Sequence, residues 1–538
     1  MSDDLDEQVK KFPQSKKLKS VIVRFNPEYA SVPPERIAKL LGGIFRKRLP
    51  LIDGAAVSIP YGQLKKLEAR PDVVWISPDR DVRMEWDNDV EALGADQAWS
   101  AYGVRGGGIR VAVLDTGVYP GSADWQPFGG ANSRIVGWKD LVNNQPTPYD
   151  DHGHGTHVAG VALGSGNLSA VSASSARFTG TAPAAELVAV KVLNGDGSGS
   201  VSTVISGLEW CVANKSALNL RVINLSMGHF PRESTATDPL CTAVRRAVRS
   251  GIVVVCSAGN SGKDATGAIK YGGISCPGNE PSALTVGALN TRESVTRADD
   301  TICSFSSRGP TYIDKLTKPD VVAPGNNIVS VRSPGSKLDG AYGGNQIGAE
   351  LYGGSTAGTH YFRLSGTSMA APQVAGTVAL MLEANPMLAP NTVKGILMFT
   401  AQNLDLFDTQ GQRLSKGLSL LTQGAGSVNA AGAVELARRI DTSAPVGRSW
   451  LTGSVSRQNT IGGVTFPWAR HIIHLDRVYS GDSVMGVRQA LWSDQALWSD
   501  QALWSDQAIW SDSGVTTDQA IWSDQAIWSE SYLNGENA

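Results

Sequence analysis

The chain has little cysteine, no long apolar run and almost no net charge, and each shortage removes a class of protein. Five cysteines (Cys211, Cys241, Cys256, Cys276, Cys303) in 538 residues are too few, and odd in number, for a disulfide framework. A small stapled module is therefore excluded. The longest purely apolar stretches are as short as Ile252 to Cys256, far below the roughly 18 residues that cross a bilayer as a helix, so no transmembrane segment is expected. Forty-eight Lys and Arg against 50 Asp and Glu leave a net charge of -2, which gives no overall attraction to nucleic acid. A conventional secretory signal is also missing: Met1 is followed by the acidic, polar Ser-Asp-Asp-Leu-Asp-Glu, so either export is unconventional or the start lies upstream. What is present, 41% apolar and 18% charged residues, suits a soluble globular chain of about three or four folding units.

Charge and composition divide the chain. The first 90 residues hold 16 of the 48 basic residues and 14 acids, whereas the segment after Arg488 carries eight acids and no Lys or Arg. In residues 1–90 the pattern predicts strands at Ser20–Phe25, Gly54–Ile59 and Asp72–Ile76, with helices at Pro34–Leu41 and Tyr61–Arg70, a small α+β unit able to fold alone. Residues 91–440 turn to Gly, Ala, Val and Ser. Buried-type strands are expected there at Ile109–Leu114, Leu187–Leu193, Arg221–Leu225 and Ile252–Val255, separated by helical patterns such as Thr203–Asn214. This is an α/β arrangement, a mainly parallel sheet flanked by helices, in which ligands sit at the carboxyl ends of the strands. Residues 441–488 carry little pattern and are expected as a linker region.

Residues 489–538 repeat with a period of six. Gln-Ala-Leu/Ile-Trp-Ser-Asp begins at Gln489, Gln495, Gln501, Gln507, Gln519 and Gln525, and the six-residue interruption Ser513–Asp518 keeps the phase. Six of the 14 tryptophans lie here. Because six is even, a strand would align every Trp on one face, and with it every Asp. A plain acidic extension and an ordered array that binds a surface or a cation remain as alternatives.

Three separated segments carry polar groups suited to acyl transfer. Asp115 ends a buried-type strand in Val113-Leu114-Asp115-Thr116-Gly117, which alone reads as an Asp opening a turn. Three of only seven histidines crowd the start of a helix in Asp151-His152-Gly153-His154-Gly155-Thr156-His157, where a metal cluster is the rival but has no matching partners elsewhere. Ser368 lies in Leu364-Ser365-Gly366-Thr367-Ser368-Met369-Ala370-Ala371-Pro372, and alone it reads as a helix cap.

Together these segments resemble the three signature blocks of the subtilisin-like serine proteases, in the order Asp, His, Ser, with Ala258-Gly259-Asn260 between the last two. Ser304 to Pro310, Lys318 to Gly325 and Gly424 to Ala430 add to the likeness, which runs from about Gly94 to Ile440. The head also resembles the inhibitory propeptide of these enzymes, a ferredoxin-like α+β domain, through Ala55 to Pro60 and Val73 to Asp79. The resemblance implies Ser368 as nucleophile, His154 as general base, Asp115 as its orienting partner and Asn260 as an oxyanion donor. It implies that a peptide substrate lies as an added strand along Gly197-Ser198-Gly199 and Ser226-Met227-Gly228. His157 is expected to be structural. Small walls at Gly228, Ala258 and Gly259 favour a large apolar side chain before the cut bond, unless Asp264 or Lys270 from the loop Ser261–Gly278 reshapes the floor.

The chemistry requires no cofactor. Structural calcium is not readable from the sequence, because Gly164–Ala176 carries no carboxylate and Asp124 alone is weak evidence. The leading expectation is a secreted or cell-surface endopeptidase of protein and peptide substrates, made as a zymogen that its own propeptide inhibits and its own active site processes. The rivals are an idle protease-like body displaying the repeat tail and a cytoplasmic protease.

Overall fold

A computed structural model of the chain describes residues 1–27, 32–79, 81–82, 91–127, 130–169, 177–352, 359–444, 449–482 and 484. The hexad tail and most of the segment joining head to body lie outside the described residues.

The head is built from α1 (Asp3–Lys11), β1 (Leu18–Phe25), α2 (Pro34–Leu40), β2 (Ile44–Leu49), β3 (Gly54–Pro60), α3 (Leu64–Glu68) and β4 (Val73–Pro78). The strands form one antiparallel sheet in the order β2-β3-β1-β4. Strand parity gives this sheet two apolar faces. Val21, Val23, Val57 and Ile76 bury against Ile37, Leu64 and Leu67, the head's own core. Ile22 and Ala56 point the other way and, with Leu49 and Ile52, join a core that belongs mostly to the body. Strand β2 escaped prediction because Ile-Phe-Arg-Lys-Arg-Leu sets cations along a half-exposed edge, where charge is normal and apolar alternation is lost.

After β5 (Asp81–Val82), the body begins with α4 (Ala95–Tyr102), β6 (Arg110–Asp115), β7 (Ile135–Asp140), α5 (His154–Leu163), β8 (Glu186–Lys191), β9 (Gly199–Ser200) and α6 (Val201–Ala213). It continues through β10 (Leu220–Leu225), α7 (Pro239–Arg249), β11 (Val253–Ser257), β12 (Leu284–Asn290), β13 (Thr301–Ile302), β14 (Val321–Pro324), β15 (Ile328–Val331), α8 (Lys337–Ala341), β16 (Tyr361–Leu364) and α9 (Thr367–Ala384). The main sheet runs β13-β12-β11-β10-β6-β8-β7, with β14 beside β12. Its pairings are parallel except β12 with β13. This is the α/β class expected from the sequence, with both faces covered. Val111 and Val113 face the core shared with α5 and α9. Ala112 and Leu114 face the one shared with α6, α7 and the head.

Beyond α10 (Pro390–Thr400), α11 (Lys416–Gln423) and α12 (Ala430–Ala437) come two hairpins, β17 (Gln458–Ile461) with β18 (Val464–Pro467) and β19 (His471–His474) with β20 (Arg477–Ser480). The stretch 441–488, expected as a linker, instead contributes Trp450, Trp468, Ile472, Ile473 and Tyr479 to the main core. Its strands are only four residues long, too short for a period to stand out.

Candidate active site

Asp115 ends β6 in the middle of the sheet, His154 opens α5, and Ser368 lies one residue into α9. The first two meet. His154 Nδ1 is 2.7 Å from Asp115 Oδ1, with both side chains fully buried. The same Oδ1 accepts the Thr116 amide at 2.7 Å. The approach needs glycine, because a Cβ on Gly155 would lie 2.3 Å from the Gly117 carbonyl oxygen. With Nδ1 donating to the carboxylate, Nε2 presents its lone pair, and this buried nitrogen has no hydrogen-bond partner.

The start of α5 is organised by Asp150, a residue next to the histidine cluster that no motif singles out. Its Oδ1 accepts the Thr116 hydroxyl at 2.8 Å and the Gly153 amide at 2.7 Å, and its Oδ2 accepts the Thr156 amide at 2.8 Å and hydroxyl at 2.6 Å. A carboxylate at a helix start satisfies free amides and complements the helix dipole. Lys191, buried in β8, donates to the Thr116 carbonyl and to Asp151, each at 2.6 Å. His157 Nε2 lies 3.1 Å and 3.0 Å from the carbonyls of Ile328 and Phe362, and burial pushes its pKa down to about 3. It is a neutral packing residue. His152 is also held neutral, with its pKa lowered to about 4 by burial and then by His154.

Ser368 is buried. Its hydroxyl donates to the Ser226 carbonyl at 3.2 Å, and the Ser226 hydroxyl donates to the Ser368 carbonyl at 2.8 Å. The second bond has a backbone cause. Pro372 lies inside α9 and has no N–H, so the carbonyl four residues earlier, that of Ser368, lacks its helical donor. Asn260 Oδ1 accepts the Thr367 amide and hydroxyl, both at 3.0 Å. This orients the side chain and leaves its NH2 uncommitted beside the start of α9.

Of the expected substrate-strand residues, Gly199 pairs with Val82 and Ser200 with Asp81, antiparallel, so the end of the head lies along this edge. Gly197 has φ +75°, and a Cβ there would lie 2.9 Å from His152 Nε2. Ser198 donates its amide and hydroxyl to Asn194 Oδ1 at 3.1 Å and 3.3 Å. Met227 is buried in the core, so it offers only backbone to a ligand. Gly228 abuts the Cys276 carbonyl, 2.5 Å from where a Cβ would be. Asp264 does not act as a free pocket charge: its Oδ1 accepts the Thr266 amide and hydroxyl and the Ala268 amide within an exposed turn.

The residues around Asp124 do not fit calcium. Its Oδ1 accepts the Leu168 amide at 3.0 Å and its Oδ2 the Tyr361 hydroxyl at 2.8 Å, and the Arg134 guanidinium occupies its main-chain carbonyl at 2.7 Å. Calcium calls for six to eight oxygens, and the partners here are protein donors.

The head meets the body through a polar ring around the shared apolar core. Glu233 Oε2 accepts the Trp75 indole and, at 2.5 Å, the Ser77 hydroxyl. Asp79 accepts the Ser202 amide at 2.8 Å and hydroxyl at 2.5 Å. Glu209 accepts the Leu51 amide at 2.8 Å, and Arg246 donates to the Leu51 carbonyl and pairs with Asp53. Among the described residues, no helix is long and apolar enough to cross a membrane.

Residues 106–426 match the Subtilase family. The chain is 40% identical over 325 residues to serine protease AprX of Bacillus subtilis (strain 168), covering 59% of this chain and 67% of AprX. It is 35% identical over 369 residues to subtilisin E of the same organism, covering 68% of this chain and 79% of subtilisin E. In fold it is similar to fervidolysin from Fervidobacterium pennivorans, a keratinolytic enzyme related to subtilisin, with a TM-score of 0.56 and 22% identity over 78% of this chain and 61% of fervidolysin. With a family match over more than half its length and relatives at these identities, the chain belongs to the subtilase family and is a subtilisin-like serine protease.

Proposed function

We propose that the chain is an endopeptidase of protein and peptide substrates that works through Asp115, His154 and Ser368 and is made as a zymogen whose head it cuts from itself. The observation that carries this reading is His154, tied to Asp115 at 2.7 Å through Nδ1 with Nε2 unpartnered and deprotonated in that tautomer. Asp115 fixes the tautomer and stabilises the imidazolium that forms. The Ser368 hydroxyl turns from the Ser226 carbonyl to His154 Nε2, gives up its proton and attacks the scissile carbonyl carbon. As the C–O bond forms, negative charge moves to the carbonyl oxygen, where the Asn260 NH2 and the Ser368 amide receive it. Collapse breaks the C–N bond, His154 passes its proton to the leaving amine, and water then releases the acyl group by the reverse proton route.

Backbone along Gly197–Gly199 and Ser226–Gly228 takes the substrate as an added strand, so sequence tolerance is broad. The head imitates that strand: Asp81 and Val82 already pair with Ser200 and Gly199. Self-cleavage then falls between Val82 and Glu91, and the released head inhibits by rebinding the same edge. Action outside the cell, at the surface or in solution, is in keeping with a zymogen of this kind.

The test is Ser368→Ala in the purified full chain, which should neither hydrolyse peptides nor lose its head, while the native chain takes one fluorophosphonate per molecule at Ser368. A native chain that takes no label would return the body to the idle, display role. A Ser368→Ala chain that still loses its head would remove the autocatalytic part.

A further inference from the structure

His229, Asp238 and Cys276 come from three separate parts of the chain, yet one potential ligand atom from each lies within 4.8 Å of the other two. A fourth donor adjoins them: Cys241 Sγ is 3.6 Å from Cys276 Sγ. Two zinc–sulfur bonds of about 2.3 Å at the tetrahedral angle place their sulfurs about 3.8 Å apart, so this pair already stands near that spacing. The imidazole is presented in the way metal-bound histidines are. Its Nδ1 lies 3.0 Å from the Phe230 carbonyl, which makes it the N–H nitrogen, and Nε2 is buried with no hydrogen-bond partner. The carboxylate is likewise supported from outside, because Asp238 Oδ1 accepts the amides of Leu240 at 2.8 Å and Cys241 at 3.0 Å as the cap of α7.

From this geometry we infer a binding site for a thiophilic divalent cation of the zinc class, held by His229, Asp238 and Cys276 with Cys241 as the fourth ligand. Two sulfurs and an imidazole select zinc over calcium or magnesium, which want oxygen alone. Closing the His229, Asp238 and Cys276 donors to bonding distance needs a contraction of about 1 Å, and Cys241 Sγ, which lies outside that 4.8 Å group, has farther to turn. On binding, each coordinating thiol passes its proton to solvent and any imidazolium at His229 loses one, so affinity rises with pH.

The position gives the ion a structural task. His229 directly follows Gly228, and the amides and carbonyls of His229 and Cys276 are already paired at 3.0 Å and 2.9 Å. Asp238 and Cys241 open α7, whose far end carries Arg246 against the head. One cation would clip the end of the substrate-side segment, the segment around Cys276 and the first turn of α7 together.

The test uses full-length Ser368→Ala protein, so its outcome does not depend on proteolysis and stands apart from the functional reading above. After chelation and removal of the chelator, zinc and then cobalt(II) are titrated in. One equivalent should bind, and cobalt should give a thiolate charge-transfer band in the near ultraviolet with strong tetrahedral bands in the visible. Cys276→Ser should abolish the charge-transfer band or cut it sharply, and His229→Gln, which spares both sulfurs, should weaken zinc by roughly a hundredfold or more. Cys211→Ser, buried in α6 and not among the grouped donors, should leave the spectrum unchanged. The proposal is overturned by absence of a stoichiometric band, by a band that survives in both Cys276→Ser and His229→Gln, or by peptide mapping that finds Cys241 joined to Cys276 in a disulfide.

Discussion

Ser226 and Ser368 are bound to each other twice, each hydroxyl donating to the other's carbonyl, at 2.8 Å from Ser226 and 3.2 Å from Ser368. The first bond replaces the helical donor that Pro372 removes, and the second holds the Ser368 hydroxyl on the Ser226 carbonyl while His154 Nε2 has no partner. Ser226→Ala leaves the Ser368 carbonyl buried without a donor, a cost of about 1 to 3 kcal/mol. We expect a lower melting temperature and roughly tenfold slower acylation, read by stopped-flow burst with a short ester. An unchanged burst rate would show that the bond does not position the nucleophile.

The oxyanion assignment makes a sharper kinetic prediction. Asn260→Ala should lower kcat on the order of a hundred to a thousand fold with little change in KM, a figure that comes from a subtilisin itself. A raised KM with kcat unchanged would place Asn260 in substrate binding instead.

Glu233 is the polar anchor of the head, since one carboxylate oxygen takes both the Trp75 indole and the Ser77 hydroxyl. Hydrogen bonds to a charged group are worth about 1.5 to 3 kcal/mol each, so Glu233→Gln should weaken inhibition by added head about ten- to a hundredfold. Hydrolysis of a short peptide by the mature body should hardly change, and that control separates docking from catalysis.

Acid stability should follow the buried histidines. Burial lowers His157 to about 3, and His152, His471 and His474 to about 4, against 6.5 when exposed. For a depressed histidine the unfolded chain binds the extra proton. Its stabilising contribution is therefore complete above about pH 6.5 and is lost as pH falls toward the folded value. Urea midpoints should drop steadily from pH 6.5 to 4, and His157→Gln should flatten that slope while lowering stability at pH 7. A flat profile in the native chain would contradict the burial argument.

Asp264 spends its carboxylate on its own turn, so Asp264→Ala should leave a preference for large apolar residues before the cut bond unchanged. A library profile dominated by Lys or Arg, and altered by this substitution, would restore Asp264 to the pocket. Deleting Gln489 to Ala538 should likewise spare peptide hydrolysis while changing retention at a surface. Loss of hydrolysis would place the repeats within the catalytic fold.

Legibility in the sequence tracked how local the chemistry is. Asp115, His154 and Ser368 sit in short blocks where the neighbouring glycines and helix starts are contiguous, and the long buried strands β6, β8, β10 and β11 announced themselves as apolar runs. The charged edge β2 and the short hairpins after Trp450 did not, because their burial comes from partners far away in sequence. The same holds for the Ser226 hydroxyl, which is meaningful only once Pro372 has removed a donor 146 residues later, and for His229, Asp238 and Cys276, which share no motif.

Ile22, Leu49, Ile52 and Ala56 of the head lie in one apolar cluster with Leu208 and Val244 of the body. Cutting the peptide between them changes no contact. It changes the order of the reaction: a contact held within one molecule becomes an equilibrium between two solutes, with an effective concentration lost and a real one gained. Under the self-processing proposed above, cleavage and the onset of activity become distinct events, and dilution or digestion of the freed head, rather than the cut, sets the time between them.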